Sequence, residues 1–317
     1  MTKGGRGKRR RSAQPSGSRP LIRSVREYLR LIGGGLLIGL PLLFTMEVWW
    51  HGFLLPSWKI LGLFAVGFVV VIGYTALTGF RRESTWTEVI IDSIESMGIA
   101  VVLAATALFV LGRIDVGTGL RDAVGKVALE AIPIAFGASV ASGQLSPSGE
   151  DGDDQGSPAT DGGPVGPYGR LLVAAGGALL FALNVAPTEE PMLLGVEAEW
   201  WRLLLAMLAS YGVTLALVFY ADFPGGRSSD PGDSPLDHPL VETLAAYAIS
   251  LVVALGLLWA FGRTDGVSLR AIVGQTVTLG IVACFGAAAG RLLIGGASGS
   301  GSGSGSGGSS ATSPGAG

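Results

Sequence analysis

The sequence predicts an all-α integral membrane protein, and three observations carry that prediction. Eight runs close to the length of a bilayer-crossing helix can be counted along the chain. The composition is 49% apolar and 15% charged, poorer in charge than a soluble domain of 317 residues. Much of the membrane part is also written twice. Gly112-Arg113-Ile114-Asp115, Leu120-Arg121, Val124-Gly125 and Phe136-Gly137-Ala138 return as Gly262-Arg263-Thr264-Asp265, Leu269-Arg270, Val273-Gly274 and Phe285-Gly286-Ala287, with one residue of slip. The fold class is therefore about eight transmembrane helices, seven being possible, in two parallel four-helix repeats.

Residues 1–28 open the chain with Lys3, Arg6, Lys8, Arg9, Arg10 and Arg11 and with further arginines up to the first apolar run. Such a cluster before a membrane helix predicts a cytoplasmic tail. No aromatic interleaving or DNA-binding motif accompanies it, so no nucleic-acid partner is expected. The apolar run that follows is long and lacks a small-residue cleavage site, so it is expected to be retained rather than removed as a signal peptide.

The first repeat occupies residues 29–145. Its spans are expected at 29–50, which ends in Glu47-Val48-Trp49-Trp50, at 58–80, at 89–111 and at 123–144. The fourth is the weakest, because Lys126, Glu130 and Pro133 interrupt it; were it re-entrant, the count would fall to seven. Residues 146–168 form a Gly, Ser, Pro and Asp linker that cannot bury enough apolar surface to order itself. The second repeat occupies 169–294, with spans at 171–187, 202–221, 240–261 and 269–294, and 295–317 is a Gly/Ser tail. Fainter matches extend the duplication outward: Asp92-Ser93 with Glu242-Thr243, Gly34-Gly35 with Gly176-Gly177, Glu47 with Glu189, and Trp58 with Trp200. Four spans per half is an even number, so both halves enter the bilayer from one side. The positive-inside rule then predicts a multi-pass protein of the cell membrane with its N-terminus in the cytoplasm.

The first span and its exit, Gly33-Gly34-Gly35-Leu36-Leu37-Ile38-Gly39-Leu40-Pro41-Leu42-Leu43-Phe44-Thr45-Met46-Glu47-Val48-Trp49-Trp50, together with Gly79-Phe80-Arg81, resembles a bacterial family of integral membrane proteins of unknown function. The resemblance covers roughly residues 23–294. It implies a protein that crosses the membrane about seven times and is often encoded beside a small companion protein. It transfers no catalytic or binding residue.

Ionisable groups inside membrane segments cost several kcal/mol at the bilayer centre and usually face an interior or a water-filled path. Asp92 and Glu95, spaced i, i+3, and Glu242 in the matching place are therefore candidates for an ion or proton pathway, with Glu47 and Glu189 at its mouths. Solvation at headgroup depth explains the first three equally well, and a plain helix end at Pro187-Thr188-Glu189-Glu190-Pro191 explains the last. Lys126 and Glu130 are i, i+4 neighbours and form a candidate intramembrane ion pair, replaced by Gln275 and Leu279 in the second half. The doubled Gly-Arg-x-Asp turn suggests capping and pairing between helices. Gly137-x-x-x-Ala141 and Gly286-x-x-x-Gly290 suggest close helix packing.

Enzyme signatures fail. Gly125-Lys126 lacks the spacing of a phosphate-binding loop, His51 and His238 stand in no HExxH context, and Cys284 is the one cysteine. No catalytic, cofactor or metal site is expected, and no enzymatic activity. The lipid bilayer is the one partner that composition demands. Two functional classes remain open: a transporter or channel for a small ion or solute using the matched carboxylates, and a non-transporting scaffold or subunit that binds a partner protein.

Overall fold

The computed structural model describes residues 19–78, 85–144, 167–222 and 239–299. The acidic linker, most of the basic tail and most of the Gly/Ser tail lie outside the described residues. The helices run in the order α1 (Arg19–Leu43), α2 (Met46–Leu54), α3 (Ser57–Thr78), α4 (Trp86–Val110), α5 (Leu120–Gln144), α6 (Pro167–Val185), α7 (Glu190–Glu197), α8 (Trp200–Asp222), α9 (Pro239–Ala260) and α10 (Leu269–Gly299). Among the described residues there is no strand. Helices satisfy every backbone polar group within their own segment, which a bilayer requires. Seven of them are long and apolar enough to cross a membrane, and the bent pair α1 and α2 raises the count to as many as eight.

One expectation about the spans is corrected and one is borne out. The first span is not one helix: α1 stops at Leu43 and α2 begins at Met46, with a bend of 78° between them. Thr45 adopts an extended backbone as the residue before α2, and its hydroxyl donates to the Pro41 carbonyl at 2.9 Å, anchoring the corner. The fourth run, in contrast, is a single helix of spanning length, as counted from the sequence. α5 crosses as a continuous helix with Pro133 inside it. It can carry polar groups because α1, α2, α3 and α4 all pack around it and screen it from lipid.

In the second half α10 holds the corresponding position, surrounded by α6, α7, α8 and α9. Glycines set the approach of these helices. A Cβ on Gly137 would lie 2.6 Å from the Gly34 carbonyl oxygen and 2.8 Å from Ile38 Cβ. Gly286 meets Gly177 and Phe181 in the same way, Gly125 meets Gly52, and Gly274 meets Gly195. These contacts correct the sequence register by one residue. Gly34 stands where Gly177 stands, not Gly176; Glu47 corresponds to Glu190, not Glu189; and Trp58 corresponds to Trp201. Runs of adjacent glycines and glutamates fit either register in sequence, and only the packing distinguishes them.

The turns recur as well. At the ends of α4 and α9, Gly112 (φ 65°) and Gly262 (φ 73°) take the left-handed conformation. The amides of Gly112 and Arg113 bond to Phe109 and Leu108, and those of Gly262 and Arg263 to Trp259 and Leu258, which is the Schellman closure. The repeated arginines at the starts of α5 and α10 cap the short helices. Arg121 donates to the Phe53 and Leu55 carbonyls at 2.9 and 2.7 Å, and Arg270 to the Ala198 carbonyl at 3.1 Å.

The halves meet through α3 and α6. Val70 and Phe136 pack onto Gly176, and the Tyr74 and Phe136 rings lie 5.2 Å apart. At the end of the bundle that carries α2 and α7, Lys59 crosses between the halves. Its ammonium donates to the Trp259 carbonyl at 2.8 Å and lies 3.7 Å from an Asp265 carboxylate oxygen. Both halves thus place their short helices on one side, here termed the short-helix side.

Candidate functional site

The candidate carboxylates do not converge. Asp92 lies in the second turn of α4 and Glu95 in its third, about 13 Å along the helix, and Glu242 lies in the first turn of α9, at the side opposite the short helices. Glu47 and Glu189 lie at the starts of α2 and α7, on the short-helix side. A helix of the length of α4 spans about 37 Å, so Asp92 and Glu242 stand toward one end of the bundle and Glu47 and Glu189 at the other, while Glu95 lies nearly as far along α4 as Glu130 does along α5.

Their surroundings differ too. Asp92, Glu95 and Glu189 are exposed and Glu47 is half-buried, whereas Glu242 is buried. One Glu242 oxygen lies 2.6 Å from Arg170 Nε of α6 and 2.9 Å from a terminal nitrogen of Arg291 of α10. This cluster ties three helices of the second half together, and the start of α9 adds the favourable end of its helix dipole. The two arginines were not singled out in the sequence. The available signal was an arginine near a span end at the depth of an intramembrane carboxylate. On the other side, the Thr188 hydroxyl beside Glu190 holds its carboxyl below the usual carboxylate range.

The doubled turn caps in both copies, and its second copy also pairs, Asp265 with Lys59 of the other half. Asp115 accepts from the Thr118 hydroxyl at 2.8 Å and the Gly117 amide at 2.9 Å, and these bonds hold its carboxyl below the usual range. Arg113 instead lies over the Trp49 ring, and Arg263 donates to the Pro187 carbonyl.

The expected Lys126–Glu130 ion pair does not form. Lys126 reaches toward the short-helix side, where its ammonium donates to the Arg113 carbonyl at 2.8 Å and sits 5.7 Å from the Trp49 ring centroid. A long cationic side chain gains more from the membrane edge than from a carboxylate deeper in the bundle. Glu130 is left with 0% exposure, and neither of its carboxylate oxygens has a hydrogen-bond partner. It lies ten residues into α5, about 15 Å along a helix and close to halfway across a hydrocarbon core of about 30 Å. Pro133 on the same helix has no N–H to give the Leu129 carbonyl, so a second polar group is released beside it.

The second half is polar elsewhere. Leu279, in the place of Glu130, is equally buried. Gln275, in the place of Lys126, is buried with its amide oxygen and nitrogen both unpartnered. Ser210 and Tyr247 bond through their hydroxyls at 3.0 Å in its interior. The crevice between the halves, lined by Val70, Pro133 and Phe136 on one side and Gly176, Leu180 and Leu183 on the other, is narrow and apolar. Among the described residues no group of His, Cys, Asp and Glu side chains could hold a metal ion.

Comparison with known proteins places these features in one family. The family described as "Putative integral membrane protein (DUF2391)" matches residues 27–294. No curated protein and no solved structure matches the chain.

Proposed function

We propose that this chain, which belongs to the DUF2391 family of integral membrane proteins, moves protons or a small bare cation across the membrane, with Glu130 as the group that takes up and gives up the charge. The observation that carries this reading is a fully buried carboxyl at mid-span with no partner for either oxygen. Burying a lone polar group costs free energy unless something repays it. The fold itself does not need that group, because Leu279 fills the matching place. Asp92 at one end and Glu47 and Glu189 at the other then act as carboxylates near the two entrances, Glu95 as an exposed carboxylate deeper along α4, and Glu242 as a structural anchor. The reading assigns no enzymatic activity and no cofactor. It sets the protein in the cell membrane with the basic tail in the cytoplasm, following the positive-inside rule.

The test uses proteoliposomes with a trapped pH dye and an imposed potassium diffusion potential. The native chain is expected to carry a proton flux or, with a sodium or potassium probe, a cation flux, and Glu130→Gln is expected to abolish it while remaining folded. No flux of any of the three ions in the native chain removes the reading.

The second reading is a non-transporting subunit that binds other proteins, including a small companion protein. It is favoured by α8, whose outward side chains Leu204, Leu205 and Leu208 are exposed and which packs substantially on α9 and α10 alone. Co-purification of a stable partner without any flux would support it.

A further inference from the structure

The halves are joined on one side only, and the unjoined surfaces are copies of the joined ones. α3 of the first half packs on α6 of the second; the corresponding α8 and α1 have no comparable contact. A two-fold relation between the halves would have formed both. The arrangement is instead head-to-tail, and such an interface leaves a complementary surface free at each end, which further copies can fill and, where the rotation allows, close into a ring.

Burial along the matched helices marks these surfaces. On α3 and α8 the residues facing their own half are buried in both: Ile60 and Leu203, Gly67 and Ser210, Val71 and Thr214. Lys59 and Val70, which face the other half, are buried, whereas their counterparts Arg202 and Val213 are exposed. On α6, Gly176, Leu180 and Leu183 are buried against the first half; on α1 their counterparts Gly33, Leu37 and Leu40 are exposed. Gly176 is the notch that receives Val70 and Phe136, and Gly33 has nothing within 4 Å of the place a Cβ would occupy. General contact with lipid would expose apolar residues on every outer face. It does not predict an empty notch and a free knob at matching positions.

The polar clamp is duplicated in the same sense. Lys59 joins the Trp259 carbonyl and Asp265, with the Trp58 and Trp259 rings 5.6 Å apart. The counterparts are Trp201, Arg202, Phe109 and Asp115, with Arg202 and Asp115 opposite in charge as Lys59 and Asp265 are; Trp58, Trp259 and Asp265 are exposed in the joined clamp too, so burial separates only Lys59 from Arg202.

We infer that a second copy of this chain docks here, its α8 on the α1 face of the first with Val213 against Gly33, and its Arg202 on the α4–α5 turn at Asp115. The assembly is a closed ring of chains in the membrane plane. This inference is independent of ion movement and survives the failure of that reading.

Paired cysteines test it in a background where Cys284 is replaced by alanine, with the full chain in native membranes under mild oxidation. Val70→Cys with Gly176→Cys should cross-link within one chain and serves as the folding control. Gly33→Cys with Val213→Cys should convert most of the protein into species at whole multiples of the chain mass, while either single variant stays monomeric. A cross-linked control beside a monomeric Gly33/Val213 pair overturns the inference, as does a product whose mass is not a multiple of the chain, or a dimer from Gly33→Cys alone. Mass measurement of the native chain in lipid nanodiscs gives a second readout that needs no substitution, and a monomer there also overturns it.

Discussion

Glu130→Leu is predicted to make the protein more stable and less active. Glu130 is fully buried with both oxygens unpartnered, and Leu279 shows that a leucine is accommodated in the matching place on α10. The two side chains are similar in volume, so the exchange opens no large cavity and forces no overpacking. It removes the desolvation cost of an unsatisfied buried polar group, about 1–3 kcal/mol. That range corresponds to roughly a 5- to 150-fold shift in the folding equilibrium. The assay is equilibrium unfolding in mixed micelles titrated with a denaturing detergent and followed by tryptophan fluorescence. Glu130→Gln is the comparison: it keeps the shape and the unsatisfied polar atoms, so it should leave stability nearly unchanged. The reciprocal Leu279→Glu should destabilise by a similar amount. A loss of 2 kcal/mol or more in Glu130→Leu, on the order of a core truncation, would mean that the carboxyl is held by a partner and would refute the reasoning.

Three further outcomes are expected. Gly137→Ala should cost about 1–3 kcal/mol, because the new methyl meets the Gly34 carbonyl and Ile38, whereas Gly62→Ala, with nothing within 4 Å, should be neutral or stabilising by about 0.5–1 kcal/mol; the same unfolding titration distinguishes them. Glu242→Ala should destabilise by roughly 3–5 kcal/mol, since it leaves Arg170 and Arg291 without their shared carboxylate, and an effect below 1 kcal/mol would show that the cluster is not structural. The Thr118 and Gly117 bonds depress Asp115, so its stabilisation is complete above the ordinary carboxylate range and is lost as pH falls through its lowered value. Melting curves of native protein and Asp115→Ala should accordingly differ at neutral pH and converge only in strong acid.

The helices were legible because a bilayer core imposes a length of about 20 apolar residues on each, and the chain repeats that length openly. The bend at residues 44–45 was hidden because hydropathy stays high through Leu42, Leu43 and Phe44. The informative signals were chemical, Thr45 before α2 and Glu47 in its first turn. α5 was undervalued for the opposite reason. Lys126, Glu130 and Pro133 lower its apolarity, yet a helix wrapped by four neighbours does not have to be apolar all round.

Four of the candidate carboxylates were chosen by their recurrence in both halves and Glu95 by its spacing from Asp92, and recurrence selected groups near helix starts. Recurrence follows what the shared architecture needs, such as the Schellman glycines and the capping arginines Arg121 and Arg270. Glu130 escaped the same emphasis because it does not recur, and because spacing on one helix suggested Lys126 as its partner. Spacing fixes a shared face but not the direction in which a long side chain extends, and Lys126 extends toward the membrane edge. Arg170 and Arg291 could be joined to Glu242 only through the packing of three helices distant in sequence.

The most direct test of the proposed role of Glu130 is a pH-difference infrared spectrum of the protein reconstituted in lipid, native against Glu130→Gln. The native chain is predicted to show a buried carboxylic-acid carbonyl band that titrates reversibly and is absent from the variant. Identical spectra for the two would mean that Glu130 exchanges no proton with solvent and would contradict its assignment as the proton-carrying group.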